Sequence, residues 1–383
     1  MADMPTLIAT LSVLALLSHG ASAQGRPRAR DLGVPFDGSP GPLNAITDVA
    51  GVEVGHVTLI EGTGSLVVGK GPVRTGVTAI LPRGKQWAPV FAGWFAGNGF
   101  GEMTGVPWVV EGGVLGGPVM ITNTYSVGVV RDAVNGWFAD VLRVEIPWHQ
   151  PVVGETSDAF LNDAAGQHVT RAHAFGALNA ARTGAVSEGN VGGGTGMVAH
   201  GFKGGIGTAS RRVDGGYTLG VLVQANYGSR EGLTIAGVPV GREITGNQRE
   251  RSPAPPGDRE GSIIVVVATD APLLPHQLER LARRVPMGIA RLGGTASNGS
   301  GDIFIAFSTA NPGAAASGGV TPLTWLPNGD LSPFFTATIE ATEEAIVNAL
   351  VAAETMDGAH GTVYALPHDQ LRAILRRYNR LSR

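Results

Sequence analysis

At 383 residues the chain has room for one large domain or two ordinary ones, and its 43% hydrophobic, 15% charged composition belongs to a packed rather than a disordered protein. A net charge of −3 gives no electrostatic reason to expect nucleic acid, and the absence of cysteine excludes a thiol nucleophile, disulfides and thiolate metal sites together. Fifty-eight glycines point to many tight turns and close backbone approaches.

The N-terminal stretch "TLIATLSVLALLSHGASA" holds an apolar run, Leu7 to Leu17, that is short for a membrane span and is followed by Ala21-Ser22-Ala23. It reads as a secretory signal over residues 1–23, which makes 24–383 a periplasmic or secreted single domain. Asp3, with no lysine or arginine before the run, departs from the usual pattern, and an N-terminal anchor is the alternative. No later segment is long and apolar enough to span a bilayer, so no membrane contact is expected once the signal is gone.

Gly25 to Asp48, rich in Gly, Pro and Arg, is expected to be extended. Alternating stretches between Val52 and Val73, then "GVTAILPRG" (76–84) and "GGPVMITNTYSVGVVRDAV" (116–134), predict strands, the last interrupted at Asn123 and Thr124. Asp158 to Arg182 has the spacing of a helix with one buried face. "NVGGGTGM" (190–197) is a glycine-rich loop, "YTLGVLVQANYG" (217–228) a buried strand, and the charged, proline-bearing Arg242 to Gly261 an exposed loop. "SIIVVVATDAPL" (262–273) is an apolar strand, followed by an amphipathic helix from Pro275 to Ile289. The apolar run Ile303 to Phe307 is another strand; a helix over Thr336–Thr355, a strand at 363–366 and a helix from Asp369 complete the chain. Apolar strands of this kind need cover on both faces, so the expected architecture is layered α/β, helix–sheet–sheet–helix.

The glycine loop offers no nucleotide site: it lacks G-x-G-x-x-G between strand and helix, and no lysine follows for a phosphate loop. It is better read as close backbone packing or a wall of a site. The nine histidines are scattered, and His168 and His173, five apart, do not share a helix face, so no metal and no cofactor is expected.

Ser300 stands between Gly299 and Gly301 at the mouth of a strand. A tight turn is one reading. The other is self-cleavage: the Ser300 hydroxyl attacks the Gly299 carbonyl, the resulting ester is opened by water, and Ser300 becomes a new N-terminus whose α-amine serves as a base. Asn298 and Gly299 would supply the strained backbone, and Asp302 would orient the amine or cap the loop. In "FTATIEA" an extended alternation would put Thr338 and Glu340 on one side as a proton relay. The other reading places Glu340, Glu343 and Glu344 in the first turns of a helix, where the dipole favours them.

Together "NGSGDIFIAFSTAN", "TATIEATEEAIVNAL", "VLVQANYG", "PVVGETSDAFLND", "GNVGGGTGM" and "MITNTYSVGVVRDAV" resemble the self-processing L-aminopeptidase/D-esterase family, which includes the β-peptidyl aminopeptidases. The resemblance runs from about Gly33 to the C-terminus. It implies an αββα sandwich like that of the N-terminal-nucleophile hydrolases with its own connectivity. It also implies self-cleavage into chains 24–299 and 300–383, commonly assembled as a homotetramer. On that pattern Ser300 is the nucleophile, Glu340 the catalytic glutamate, Thr338 a hydroxyl where a serine is expected, Asn226 the oxyanion-holding amide and Glu155 the carboxylate for the substrate's ammonium. The implied substrates are small peptides, amides or esters with a free amine, among them β-peptides or D-residue derivatives. An acyltransferase of the ornithine acetyltransferase kind and a non-catalytic exported binding protein are the alternatives.

Overall fold

The computed structural model describes residues 26–145, 150–246, 261–316 and 318–381; the expected signal and most of the 242–261 loop lie outside them. In chain order the strands are β1 (Glu53–Glu61), β2 (Val73–Leu81), β3 (Val90–Gly99), β4 (Val114–Leu115), β5 (Val119–Asn123), β6 (Val152–Thr156), β7 (Val198–Ala199), β8 (Phe202–Lys203), β9 (Gly205–Val213), β10 (Tyr217–Asn226), β11 (Ser262–Thr269), β12 (Gly301–Ser308), β13 (Met356–Gly358) and β14 (Gly361–Val363). The helices are α1 (Val106–Gly112), α2 (Val127–Asp140), α3 (Arg171–Ala180), α4 (Val240–Glu243), α5 (Pro275–Ala282), α6 (Val285–Arg291), α7 (Ser332–Val351) and α8 (His368–Arg377).

Two sheets face each other. One has the order β1-β2-β5-β6, the other β4-β3-β12-β11-β10-β9. Pairing is antiparallel except between β5 and β6 and between β11 and β12. Strand β11 explains why the layers form: all eight residues of SIIVVVAT are buried. Ile263, Val265 and Val267 meet the apolar faces of α5, α6 and α7. Ile264 and Val266, one residue out of phase, meet Ile80, Ile121 and Val152 of the other sheet. A third apolar layer joins β1, β2 and β5 to α2 and α3. Each such side chain contributes about 1.5–3 kcal/mol on leaving water, so the continuous apolar run demands cover on both faces. The αββα sandwich is therefore the observed fold. Glycine lets the helices sit close to the sheet: a Cβ at Gly207 would lie 2.0 Å from the Ala345 carbonyl of α7.

Four local readings are corrected. The break at Asn123–Thr124 is a strand-to-helix junction, since β5 ends there and α2 follows. Of the helix expected over 158–182, only 171–180 is α-helical. Asp158, Asn162 and Asp163 instead turn their side chains on the chain: Asn162 accepts the Arg74 N–H at 2.8 Å and Asp163 the Gly69 N–H at 2.7 Å. The helix after Pro275 is two helices, divided at Arg283 and Arg284, with a proline in the first turn of the second. Helix α7 begins at Ser332, so the "FTATIEA" segment is helical, not extended.

No helix among the described residues is long and apolar enough to cross a membrane.

Candidate active site

The parallel pair β11–β12 brings two serines to one end of the larger sheet. Ser262 opens β11 and is level with Gly301 of β12 on one side and Asn226 of β10 on the other. Its Oγ accepts the Gly301 N–H at 3.2 Å. Ser300, just before β12, donates its hydroxyl to Asp302 Oδ1 at 2.6 Å, and both residues are buried. Burial pushes the Asp302 carboxyl above the usual carboxylate range, against the hydrogen bonds from Ser300 and from the N–H of Ile263, the residue after Ser262.

The approach to Ser300 is held tightly. Its N–H donates to the Ser297 carbonyl at 2.9 Å, and its own carbonyl accepts from the Asn98 amide and the Phe100 N–H. The Asn98 amide also bonds the carbonyls of Ser297 and Asn298. Neither Asn298 nor Gly299 takes a positive φ, so the backbone there does not use the left-handed region that glycine opens. Gly301 is glycine for a different reason: a Cβ would sit 2.8 Å from the Gly101 Cα. The comparable demand before a serine falls at Gly261, where a Cβ would lie 1.8 Å from the Asn226 carbonyl. The sequence carries that signal as "GS" at the end of a strongly charged, proline-rich loop, where Ser262 reads only as the first residue of an ordinary strand.

Asn226 and Glu155 both reach this end. Asn226 Oδ1 accepts the Val198 N–H at 2.8 Å, which fixes the amide's orientation and leaves Nδ2 without a partner among the described protein groups. Glu155, on β6 of the other sheet, lies beside the Gly101–Gly301 contact: a Cβ on Gly101 would be 3.2 Å from its Oε1. It accepts the Glu102 N–H at 3.0 Å and a short bond from the Thr124 hydroxyl. Burial raises its pKa, opposed by those two bonds and reinforced by the Glu102 charge. This is a desolvated carboxylate of the kind that gains most from an arriving ammonium.

Thr338 and Glu340 are not brought to this end. On α7 they lie two residues apart, on different faces. The Thr338 hydroxyl donates to the Phe334 carbonyl at 2.7 Å. Glu340 pairs with Arg211 at 3.4 Å. Through the sheet register Arg211 is level with Leu219, Thr269 and Ser308. That is eight residues along β12 from Ser300, or roughly 26 Å of strand. Glu344 is the stronger partner in the same cluster: it takes both arms of Arg30 at 2.7 Å, and Arg211 at 2.8 Å. Glu340→Gln is therefore expected to cost about 1–2 kcal/mol and to leave turnover unchanged. Glu344→Gln, which removes the charge facing buried Arg211 and half-buried Arg30, should cost about 3–5 kcal/mol. Urea unfolding and initial rates on the same preparations check both.

His200 is buried and His56 half-buried, and desolvation lowers each pKa to about 4, so both rings are neutral near pH 7. No group of three or more metal-ligating side chains occurs among the described residues.

Residues 44–364 match peptidase family S58. The chain is 57% identical to the β-peptidyl aminopeptidase BapA of Sphingosinicella microcystinivorans, over 99% of this chain and 98% of that protein. It is 49% identical to BapA of Sphingosinicella xenopeptidilytica, over 95% and 94%. Among solved structures it superimposes on the L-aminopeptidase D-Ala-esterase/amidase of Ochrobactrum anthropi, described as a variant of the Ntn hydrolase fold, with a TM-score of 0.86 and 48% identity, covering 93% of this chain and all of that one. A Burkholderia β-aminopeptidase gives 0.83 and 47%, over 92% and 99%. These matches set aside the acyltransferase and binding-protein alternatives. The αββα sandwich, the two serines at one end of its larger sheet and the likeness along nearly the whole chain agree: this protein belongs to peptidase family S58 and is an enzyme of the aminopeptidase type.

Proposed function

We propose that the protein is an exported, self-cutting serine aminopeptidase whose nucleophile is Ser262. It releases N-terminal residues from small peptides, amides or esters, with β-peptides and D-residue derivatives among the candidate substrates. The observation that carries the assignment is the placement of Ser262 beside the Ser300–Asp302 pair, level with Asn226 and directly after a glycine that sterics require.

In self-cleavage the Ser262 Oγ bonds to the Gly261 carbonyl carbon, the Gly261–Ser262 C–N bond breaks, and the Oγ proton passes to the departing amine. Water then opens the ester. The freed α-amine, with a pKa near 8 when unperturbed, joins the Ser300–Asp302 pair in managing protons. In turnover Glu155 holds the substrate ammonium, Ser262 attacks the carbonyl, and Asn226 Nδ2 donates to the tetrahedral oxyanion, an interaction worth several kcal/mol. The amine product leaves with the proton, and water hydrolyses the acyl-enzyme.

One observation favours a second reading, in which Ser300 is the nucleophile and the cut follows Gly299: its hydroxyl is the one bonded directly to a carboxylate. N-terminal sequencing of the small chain decides. Ser-Ile-Ile-Val-Val is expected; Ser-Gly-Asp-Ile-Phe would return the role to Ser300, and an uncut active chain would overturn both. The large chain of exported protein should begin after Ala23.

The raised Asp302 pKa sets the acid limb of turnover. Its carboxylate must be ionised to take a proton, so kcat should fall as pH drops through a value above the ordinary aspartate value of about 4. Asp302→Asn should lower kcat on the order of a hundredfold and flatten that limb, as a pH–rate profile would show.

A further inference from the structure

The glycine-rich loop between Asn190 and Met197 has little side chain with which to anchor itself. Gly192, Gly193 and Gly194 are buried against neighbouring backbone and side chains: a Cβ would meet Thr78 at 2.3 Å, Gln224 at 2.1 Å and the Ile206 N at 2.4 Å. Within the loop the Thr195 hydroxyl donates to the Gly192 carbonyl, and the N–H groups of Gly194, Thr195 and Met197 reach the carbonyls of Val191, Gly192 and Gly194. From outside, the Thr58 and Thr78 hydroxyls accept the Gly192 and Gly193 N–H groups at 2.9 and 3.1 Å, the Gly204 N–H reaches the Met197 carbonyl at 2.9 Å, and Lys203 on β8 adds a wholly buried side chain. Its Nζ donates to the carbonyls of Gly204 at 2.8 Å, Met197 at 2.9 Å and Gly194 at 3.3 Å. Burial lowers the Lys203 pKa well below the usual lysine value, and the three carbonyls match the three N–H groups of its protonated form. The loop leads straight to Val198, whose N–H fixes the Asn226 side chain.

We propose that Lys203 is a positioning residue for the oxyanion donor: by clamping the carbonyls of residues 194 and 197 it holds the Val198 N–H on Asn226 Oδ1, so that Nδ2 faces the reacting carbonyl. The inference rests on the reading of Asn226 given above. It also gives the glycine loop a role. Its glycines let the chain pass between the sheets, and the lysine restores the rigidity they give up.

The test is a double-mutant cycle on processed enzyme with a chromogenic aminoacyl anilide. Asn226→Ala should lower kcat on the order of a hundredfold. Lys203→Met should lower kcat by about tenfold or more with KM within about threefold, because only the transition state uses the oriented amide. In the Asn226→Ala background the same change should alter kcat by less than about threefold. Equal losses in both backgrounds, or a folded Lys203→Met enzyme with normal kcat, overturn the proposal. If Lys203→Met does not fold, Val198→Pro removes the donor N–H and leaves the lysine in place; it must show the same selective loss of kcat, and a normal kcat there overturns the proposal. A fully active Asn226→Ala enzyme would instead refute the oxyanion assignment, and this inference with it.

Discussion

Ser262→Ala is expected to give a folded, single-chain protein with no turnover above background, whereas Ser300→Ala should still be cut, slowly, and retain weak activity. The difference follows from the roles proposed above. Without the Ser262 hydroxyl there is nothing to attack Gly261, so no new N-terminus forms, and no acyl-enzyme can form on substrate. Removing Ser300 deletes one member of the proton-managing pair and leaves the nucleophile, a loss on the order of a hundredfold. Neither change should unfold the protein. Ser262 loses one acceptor for the Gly301 N–H, worth about 1 kcal/mol, and Ser300 sits in a turn held by Asn98 and Phe100 through backbone carbonyls that alanine keeps. Denaturing electrophoresis, intact mass and single-turnover rates on both variants read the outcome. The opposite pattern, with Ser300→Ala uncut and dead and Ser262→Ala processed, would exchange the two assignments.

Glu155→Gln is expected to abolish the preference for a free amine. The glutamine can still accept the Glu102 N–H through its oxygen, and its amide can donate to the Thr124 hydroxyl, so the local frame survives. What it loses is the buried negative charge. Truncating one side of a desolvated ion pair costs about 2–5 kcal/mol, so kcat/KM on aminoacyl anilides should fall from about thirtyfold to several thousandfold. An N-acetylated substrate, which offers no ammonium to Glu155, should lose little or nothing. The raised Glu155 pKa gives a second check. In the wild type, KM for the amine substrate should rise as pH falls through that pKa, because the protonated carboxyl no longer attracts the ammonium; in Glu155→Gln that dependence should vanish. Unchanged kcat/KM for free amines would make Glu155 a structural residue.

The layered architecture was legible in the sequence because its strands are apolar without alternation. A run such as SIIVVVAT has no solvent face to offer, and burial on both faces forces helices outside two packed sheets. The candidate site was legible in part: Asn226, Glu155, Ser300 and Asp302 lie at one end of the sandwich, although they come from different strands and from both sheets. Hydrophobic periodicity could not show which serine stands beside which group, since register across β10, β11 and β12 is set by packing between residues dozens of positions apart. That register makes Ser262 level with Gly301 and Asn226, and it carries Glu340 to the far end of the sheet with Arg211. A carboxylate two residues from a hydroxyl looks like a relay in an extended chain; α7 turns the two to different faces, and only the tertiary structure decides which of these conformations the segment takes.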